Sequence, residues 1–209
     1  NLSKSKFKNN YARALCYQLF ENNGVIKREE VHKMMKNISK EDRLSLRKIG
    51  VKIGRYHIFL PRMLKPSAVS LRIKLWKLYF PKDEKYIIPK PGLNFLKDES
   101  KKNNKFLLIC GFENFGAFYV RVDILEKLFL KIIENNKDNI FKIDSSMINL
   151  IGCNKENFLK LLELMQYKPK KVGDNKEEFF IYKPKFLKSK SQKINKDNAF
   201  GKLSELRFR

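Results

Sequence analysis

The chain has 209 residues, 43% of them apolar and 12% aromatic, so it is long and apolar enough to bury one large core or two small ones. Its 46 basic and 22 acidic residues leave a formal net charge of +24, which favours a polyanionic partner. No apolar run approaches the ~18 residues that span a bilayer and no signal peptide opens the sequence, so we expect a cytoplasmic protein without a membrane partner.

The first predicted elements are three helices. Apolar spacing predicts helices over residues 9–23 and about 28–37. Ser39 begins the third, because its S-K-E-D run has the spacing of a capping box, and Gly50 ends it. A basic segment that otherwise has the pattern of an ordered core follows directly.

This basic segment, residues 46–66, contains six Lys or Arg and no acidic residue. Alternating apolar residues from Val51 to Leu60 predict one half-buried strand, and Gly54 stands where a bulge can shift its register. The cations are then expected on the exposed side of the strand or at its two ends.

Pro66 is suited to the first turn of a helix that extends to about Phe80. One face of this helix is predicted to carry lysines outward and the other to carry apolar residues toward a core. The outward residues are Lys74 and Lys77, and the inward residues are Ala68, Leu71, Leu75 and Leu78.

Residues 27–77 contain 15 Lys or Arg and 4 Asp or Glu, a net charge of +11. Cations fixed on ordered elements are suited to a phosphate backbone, whose neutralisation supplies much of nucleic-acid affinity. We therefore predict that residues 1–80 form a basic, helical nucleic-acid-binding region; an anionic membrane surface and a general compositional bias toward lysine are the alternatives. The candidate contacts are Arg43, Arg47, Lys48, Lys52, Arg55, Arg62, Lys65, Lys74 and Lys77.

Residues 81–104 contain three prolines and few periodic apolar positions, so they are predicted to form a linker between two domains. The next predicted helix begins with Asp123 and Glu126 at capping spacing and carries apolar residues on its inner face. Predicted after it are a strand over 140–143, a short helix ending at Gly152, a helix capped by Asn154, and a hairpin.

This order of elements is that of a winged helix, so residues 105–183 are predicted to form a winged-helix-like domain. Its would-be recognition helix presents lysines and glutamates together and no arginine, such as Lys155, Glu156 and Lys160. Groove readers usually present Arg, Asn or Gln to the bases, so sequence-specific DNA recognition is not predicted. Residues 184–209 are predicted to be a flexible basic tail, and the fold class is α+β, mostly helical.

No residue pattern predicts catalysis, a metal or a cofactor in this chain. Cys16, Cys110 and Cys153 lie far apart, which indicates small buried residues in a reducing compartment. His32 and His57 have no partner at ligand spacing, and structural roles are expected for them. Three pairs of adjacent carboxylates, in a cap, the linker and a turn, do not have the spacing of a converging acid–base pair; they are Glu41 and Asp42, Asp83 and Glu84, and Glu177 and Glu178.

Three stretches also carry a resemblance to a known family. The run RKIGVKIGRYHIFLPRMLKPSAVSLRIKLW, at residues 47–76, resembles a block found C-terminal to the motor in alphaproteobacterial superfamily 2 (DEAD/DEAH-type) helicases, relatives of the mitochondrial degradosome RNA helicase. CGFENFGAFYVRVDILEKL and the closing NAFGKLSEL resemble later parts of the same region. The chain contains no G-x-x-x-x-G-K-[ST] loop and begins at Asn1, which fits a fragment without its motor.

The resemblance implies the non-catalytic C-terminal accessory region of an ATP-dependent helicase. In this hypothesis the region holds RNA or other single-stranded nucleic acid, while motor domains elsewhere in the parent chain bind ATP and Mg²⁺ and supply the force. The rival hypothesis is a free-standing winged-helix DNA-binding regulator or a ribosome-associated RNA-binding factor.

Overall fold

A computed structural model describes residues 7, 9–80, 86–99, 103–137, 139–170 and 179–181. These residues form eight α-helices, a short 3-10 helix and three small antiparallel sheets, and about 52% of them are helical. The predicted α+β class with predominant helix is therefore confirmed for the described part of the chain. Within that part, no helix is both long and apolar enough to cross a membrane.

The N-terminal part packs three helices against a three-stranded sheet in the order β1-β3-β2. Its core is a single apolar cluster that includes Leu15, Leu19, Leu46 and Ile58, all fully buried. Side chains cap two of the helices, since Asn9 accepts from the N–H of Tyr11 and Ser39 accepts from that of Asp42. The elements are α1 Asn10–Glu21, β1 Val25–Lys27, α2 His32–Asn37, α3 Lys40–Lys48, β2 Lys52–Ile53 and β3 His57–Phe59.

The second of these helices is shorter than predicted. The sequence pattern placed its start near residue 28, but residues 28–31 form a turn before α2. Arg28 explains the difference, because its backbone N–H donates to the carbonyl of Tyr56, 2.8 Å away, and is drawn toward the neighbouring strand.

A 3-10 helix, Pro61–Leu64, leads into α4, Pro66–Tyr79, and α4 buries a different face from the one predicted. Leu71, Leu75 and Leu78 are 58%, 56% and 77% exposed. The inward face instead carries Val69, Ile73 and Trp76, which pack on a core that includes Phe106 and Tyr119, together with the buried Arg72.

Arg72 is the one charged residue on the buried face of α4. Its guanidinium donates to the carbonyl oxygens of Asn23, at 3.2 Å, and of Met63, so its buried charge meets two acceptors from the turn after α1 and from the 3-10 helix. Burial lowers the pKa of Arg72 from its ordinary value.

The central part of the chain contains the second sheet, in the order β4-β6-β5. Strand β4 lies inside the stretch predicted to be a linker, and it pairs antiparallel with β6, with Phe95 opposite Val120. That stretch therefore supplies an edge strand rather than a structureless connection, while the domain boundaries remain a prediction. The elements are β4 Phe95–Lys97, α5 Asn104–Ile109, β5 Phe112–Phe115 and β6 Phe118–Arg121.

The C-terminal part contains the helices, strand and hairpin strands predicted there, around the largest apolar cluster. Gly152 ends a helix with φ +77° and the Asn154 side chain accepts from the N–H of Asn157, as the sequence pattern indicated. The third sheet has the order β7-β8-β10-β9. The elements are α6 Val122–Glu134, β7 Asn136–Lys137, β8 Ile140–Lys142, α7 Ser145–Ile151, α8 Lys155–Leu164, β9 Lys168–Lys170 and β10 Phe179–Ile181.

Two predicted features lie outside the described residues. The predicted GDNK turn falls at 173–176, and the predicted basic tail falls at 184–209.

Candidate nucleic-acid interface

The basic segment forms a hairpin and not the single strand that its alternation predicted. Strands β2 and β3 pair antiparallel, with Lys52 opposite Phe59, and the N–H of Gly54 donates to the carbonyl of His57 at 2.8 Å. Gly54 thus lies in the turn and is not a bulge. Residues His57–Phe59 are all buried, because β3 is the central strand of its sheet and is covered on both faces.

A carboxylate from a distant helix holds the tip of this hairpin. Oε2 of Glu126, on α6, accepts the backbone N–H of Arg55 at 2.6 Å, and Oε1 accepts those of Tyr56 and His57, both at 2.8 Å. A Cβ built on Gly54 would overlap this carboxylate, so only glycine leaves the space for it. Three converging N–H groups form a compact anion-binding nest, occupied here by Glu126.

A second carboxylate completes this buried junction. Glu113, on β5, lies 2.9 Å from Nε2 of His57 through Oε2 and 2.6 Å from Nζ of Lys27 through Oε1. The other ring nitrogen of His57, Nδ1, is 3.7 Å from Oε1 of Glu126. His57 therefore lies between two carboxylates and is only 2% exposed.

At this junction the basic and acidic groups each shift the pKa of the other in the direction that favours the charged form. Burial alone would lower the pKa of His57, but the contacts with Glu113 and Glu126 outweigh it and raise the pKa above its ordinary value. Burial alone would raise the pKa values of both carboxyls, but the His57 ring, Lys27 and the three backbone N–H groups hold them below the ordinary range. The cluster is thus charged and internally compensated at intermediate pH.

Arg28 bonds two carbonyl groups of the turn from the other side. Its Nη1 donates to the carbonyl of Gly54 at 2.8 Å, and its backbone N–H donates to the carbonyl of Tyr56. The Tyr56 hydroxyl bonds the Tyr167 hydroxyl at 2.8 Å. With its backbone groups engaged on both sides, the tip presents mainly the side chain of Arg55, whose guanidinium lies 5.9 Å from the centroid of the Phe129 ring.

Eight of the nine predicted contact residues have exposed side chains on ordered elements. Within the described residues, none of the eight takes part in an ion pair with Asp or Glu. Arg43 differs, since it is only partly exposed and its Nη2 donates to the carbonyl of Met35 at 2.6 Å. The exposed eight are Arg47, Lys48, Lys52, Arg55, Arg62, Lys65, Lys74 and Lys77.

These eight cations follow the chain through consecutive elements. Arg47 and Lys48 lie in the last turn of α3, and the buried Val51 separates them from Lys52 on β2. Of the others, Arg55 lies at the hairpin tip, Arg62 on the 3-10 helix, Lys65 between that helix and α4, and Lys74 and Lys77 on α4. Cations on packed helices and a hairpin have fixed backbone positions, which suits the neutralisation of successive phosphates.

The outer face of α8 offers no comparable surface. Lys160 donates to Glu156 at 2.6 Å, one turn earlier on the same helix, and both side chains are exposed. The Asn154 side chain is engaged in capping the N–H of Asn157. This face carries compensated charge, as its mixed composition predicted.

Sequence reasoning assigned Glu126 to the cap of α6 and missed its actual role. Arg121 is the residue at the cap position, and it makes no side-chain capping bond to the helix. The available signal was a carboxylate one position from the inward Leu125 on a strongly apolar helix, since a charge there must find partners. Its partners lie 69 to 71 residues earlier in the chain, beyond the reach of any local pattern.

No group of three His, Cys, Asp or Glu side chains that could hold a metal occurs among the described residues. The carboxylates of the His57 cluster bond the His57 ring, Lys27 and backbone N–H groups, and the buried Nδ1 of His57 makes no hydrogen bond with any described residue. Comparisons with protein-family models, with curated proteins and with solved structures gave no match.

Proposed function

We propose that this chain is a non-catalytic nucleic-acid-binding region that retains single-stranded RNA or DNA through the basic surface of α3, the β2–β3 hairpin and α4. The observation that carries the proposal is the set of eight exposed cations without acidic partners among the described residues. They belong to a segment with net charge +11. Such a surface binds a phosphate backbone by releasing its counterions.

The resemblance to helicase accessory regions supplies the wider context of the proposal. In it, motor domains in the parent chain bind ATP and Mg²⁺ and translocate, and this region keeps the strand near the motor between steps. The chain's own residues then contribute electrostatic retention without any chemical step.

The C-terminal part is proposed to be a winged-helix-like packing module. The order α6, β8, α7, α8, β9, β10 and the strand order β8-β10-β9 support this arrangement. In the proposal its contribution is mechanical, because α6 supplies the carboxylate that holds the hairpin tip. The rival, a winged-helix DNA-binding regulator, requires base-reading side chains on α8, where the pair Glu156–Lys160 compensates its own charge.

A charge-reversal experiment tests the proposal. In the double variant Arg47→Glu, Lys52→Glu, we expect weaker binding of labelled oligouridylate and oligothymidylate. The slope of log affinity against log salt should fall by roughly 0.7 for each lost phosphate contact. Fluorescence anisotropy at several salt concentrations measures both quantities.

The matched control is Lys155→Glu, Lys160→Glu, which changes the net charge equally on the α8 face. It should leave the slope close to that of the wild type. Equal slopes for both double variants would remove the hairpin surface from the interface. Tight binding of one defined duplex, lost only in the α8 variant, would support the regulator instead.

A further inference from the structure

Two exposed aromatic rings lie at the C-terminal end of α4, where Tyr79 is its last residue and Phe80 follows it. Tyr79 is 79% exposed and Phe80 is 38% exposed, and their centroids lie 5.0 Å apart with an interplanar angle of 68°. Among the described residues, Tyr79 contacts no other ring. The two adjoining rings leave apolar surface in water, and covering that surface with a ligand is favourable.

The rings rest on a fixed aromatic base. Phe80 lies 4.3 Å from Trp76, centroid to centroid, and the N–H of Phe80 donates to the carbonyl of Trp76 at 2.8 Å. Trp76 in turn lies 6.3 Å from the buried Phe106 and 6.2 Å from Tyr86, and these last two rings stack at 4.5 Å. Successive ring contacts therefore connect the exposed Tyr79, through Phe80 and Trp76, to the buried Phe106.

The charge near these rings indicates what kind of ligand could contact them. Helix α4 contains no acidic residue, and Lys74 and Lys77 are exposed within its last six residues, on other sides of the helix from Tyr79. A second copy of this chain, at +24, would be repelled. A flat apolar group attached to a negative backbone complements both features, and an unpaired nucleotide has this chemistry.

We propose that Tyr79, supported by Phe80 and Trp76, is a stacking platform for unpaired bases of a single strand whose phosphates lie against Lys74 and Lys77. This inference rests on the proposed function and deepens it, because it specifies how the surface distinguishes single strands from duplexes. Bases in a duplex already stack on one another and cannot reach the ring, whereas bases of a single strand can.

The neighbouring leucines do not belong to the platform. Leu71, Leu75 and Leu78 have no π face on which a base can stack, and nothing in the described residues shows what covers them.

The test compares Tyr79→Ala and Tyr79→Phe in the full chain. With oligouridylate and oligothymidylate, Tyr79→Ala should bind about tenfold more weakly, the loss typical of one stacked base. Its salt slope should stay at the wild-type value, because no phosphate contact is removed. Tyr79→Phe should bind as the wild type does. Trp76, the single tryptophan, should change its emission when the wild type binds and change less in Tyr79→Ala.

The control is Tyr17→Ala, which removes a tyrosine that is 72% exposed on α1. Wild-type affinity in Tyr79→Ala, or an equal loss in Tyr17→Ala, would overturn the platform. If the salt slope of the Arg47→Glu, Lys52→Glu variant still fell, the proposed function would survive that result.

An equal loss of affinity for duplex and for single strands in Tyr79→Ala would also overturn stacking. Binding of anionic phosphatidylglycerol vesicles that Tyr79→Ala abolishes, with oligonucleotide affinity unchanged, would replace the strand by a membrane surface. A wild type that binds no oligonucleotide would overturn both proposals.

Discussion

Glu126 is a buried carboxylate whose two oxygens have different partners. Oε1 accepts two backbone N–H groups and Oε2 accepts one, and all three donors come from the hairpin tip. Hydrogen bonds to a charged group contribute more than neutral ones, and a buried donor left without a partner is costly. This residue therefore holds together two parts of the chain that are distant in sequence.

Glu126→Gln should lower the free energy of unfolding by about 2 kcal/mol. The amide has one oxygen, which can accept the N–H groups of Tyr56 and His57, but its NH₂ then faces the N–H of Arg55. Urea denaturation followed by circular dichroism measures the change. The control Glu134→Gln makes the same substitution at an exposed position of α6 and should change stability by less than about 0.5 kcal/mol. Equal effects at both positions would contradict the role assigned to Glu126.

At the scale of elements, α4 shows why amphipathic spacing misled the sequence analysis. Two faces of this helix are apolar, one with leucines and one with Val69, Ile73 and Trp76. Periodicity cannot choose between them, because each satisfies a helical repeat. The face that is buried is the one whose shape matches the aromatic core below it and whose one charge, on Arg72, finds two carbonyls.

The orientation of α4 has a measurable consequence for stability. Leu75→Ala, on the exposed face, should cost less than about 1 kcal/mol, because little buried surface is lost. The same substitution at Leu107, which is fully buried in the core under α4, should cost about 2 to 5 kcal/mol. Chemical denaturation compares the two. A loss at Leu75 as large as that at Leu107 would mean that the leucine face is buried, as the sequence alone predicted.

At the scale of the whole molecule, the junction of Lys27, His57, Glu113 and Glu126 joins the N-terminal sheet to the central sheet and to α6. Glu113 contacts Lys27 and His57, and Glu126 accepts three backbone N–H groups beside His57. Three of the four side chains are largely buried, and Lys27 is half exposed. Removing the charge of a buried member leaves an opposite buried charge with less compensation, which is unfavourable. The stability of the described fold therefore depends on the protonation of this cluster.

We expect the free energy of unfolding to be greatest between the ordinary pKa values of Glu and His, 4.5 and 6.5. Below that window stability is lost as the pH falls through the lowered pKa values of Glu113 and Glu126. Above it, stability is lost as the pH rises through the raised pKa of His57. Urea denaturation from about pH 3 to about pH 9 tests both limbs.

The variant His57→Gln separates the two limbs of this profile. It should lose most of the decline on the alkaline side, because the group that titrates there is gone. A wild-type profile that is flat above pH 6.5, or an unchanged alkaline limb in His57→Gln, would contradict the assigned ion pairs.

The sequence by itself determined the features that depend on local geometry or on composition. It predicted the helix caps at Ser39 and Asn154 and the end of a helix at Gly152. A capping side chain bonds an N–H within one helical turn, and a positive φ ends the helix at its own residue, so both depend on local sequence alone. The exposure of eight cations was also predictable, since unpaired charges remain in water unless something compensates them.

Only the tertiary structure decided the features that depend on partners far along the chain. The alternation from Val51 to Leu60 did not reveal a turn at Gly54, because that turn closes around a carboxylate from α6. The burial of Glu126 and the choice of the inward face of α4 were likewise decided by what packs against them. A local pattern records which residues can be buried, whereas burial itself is set by the surfaces and hydrogen-bonding groups that the rest of the chain brings to them.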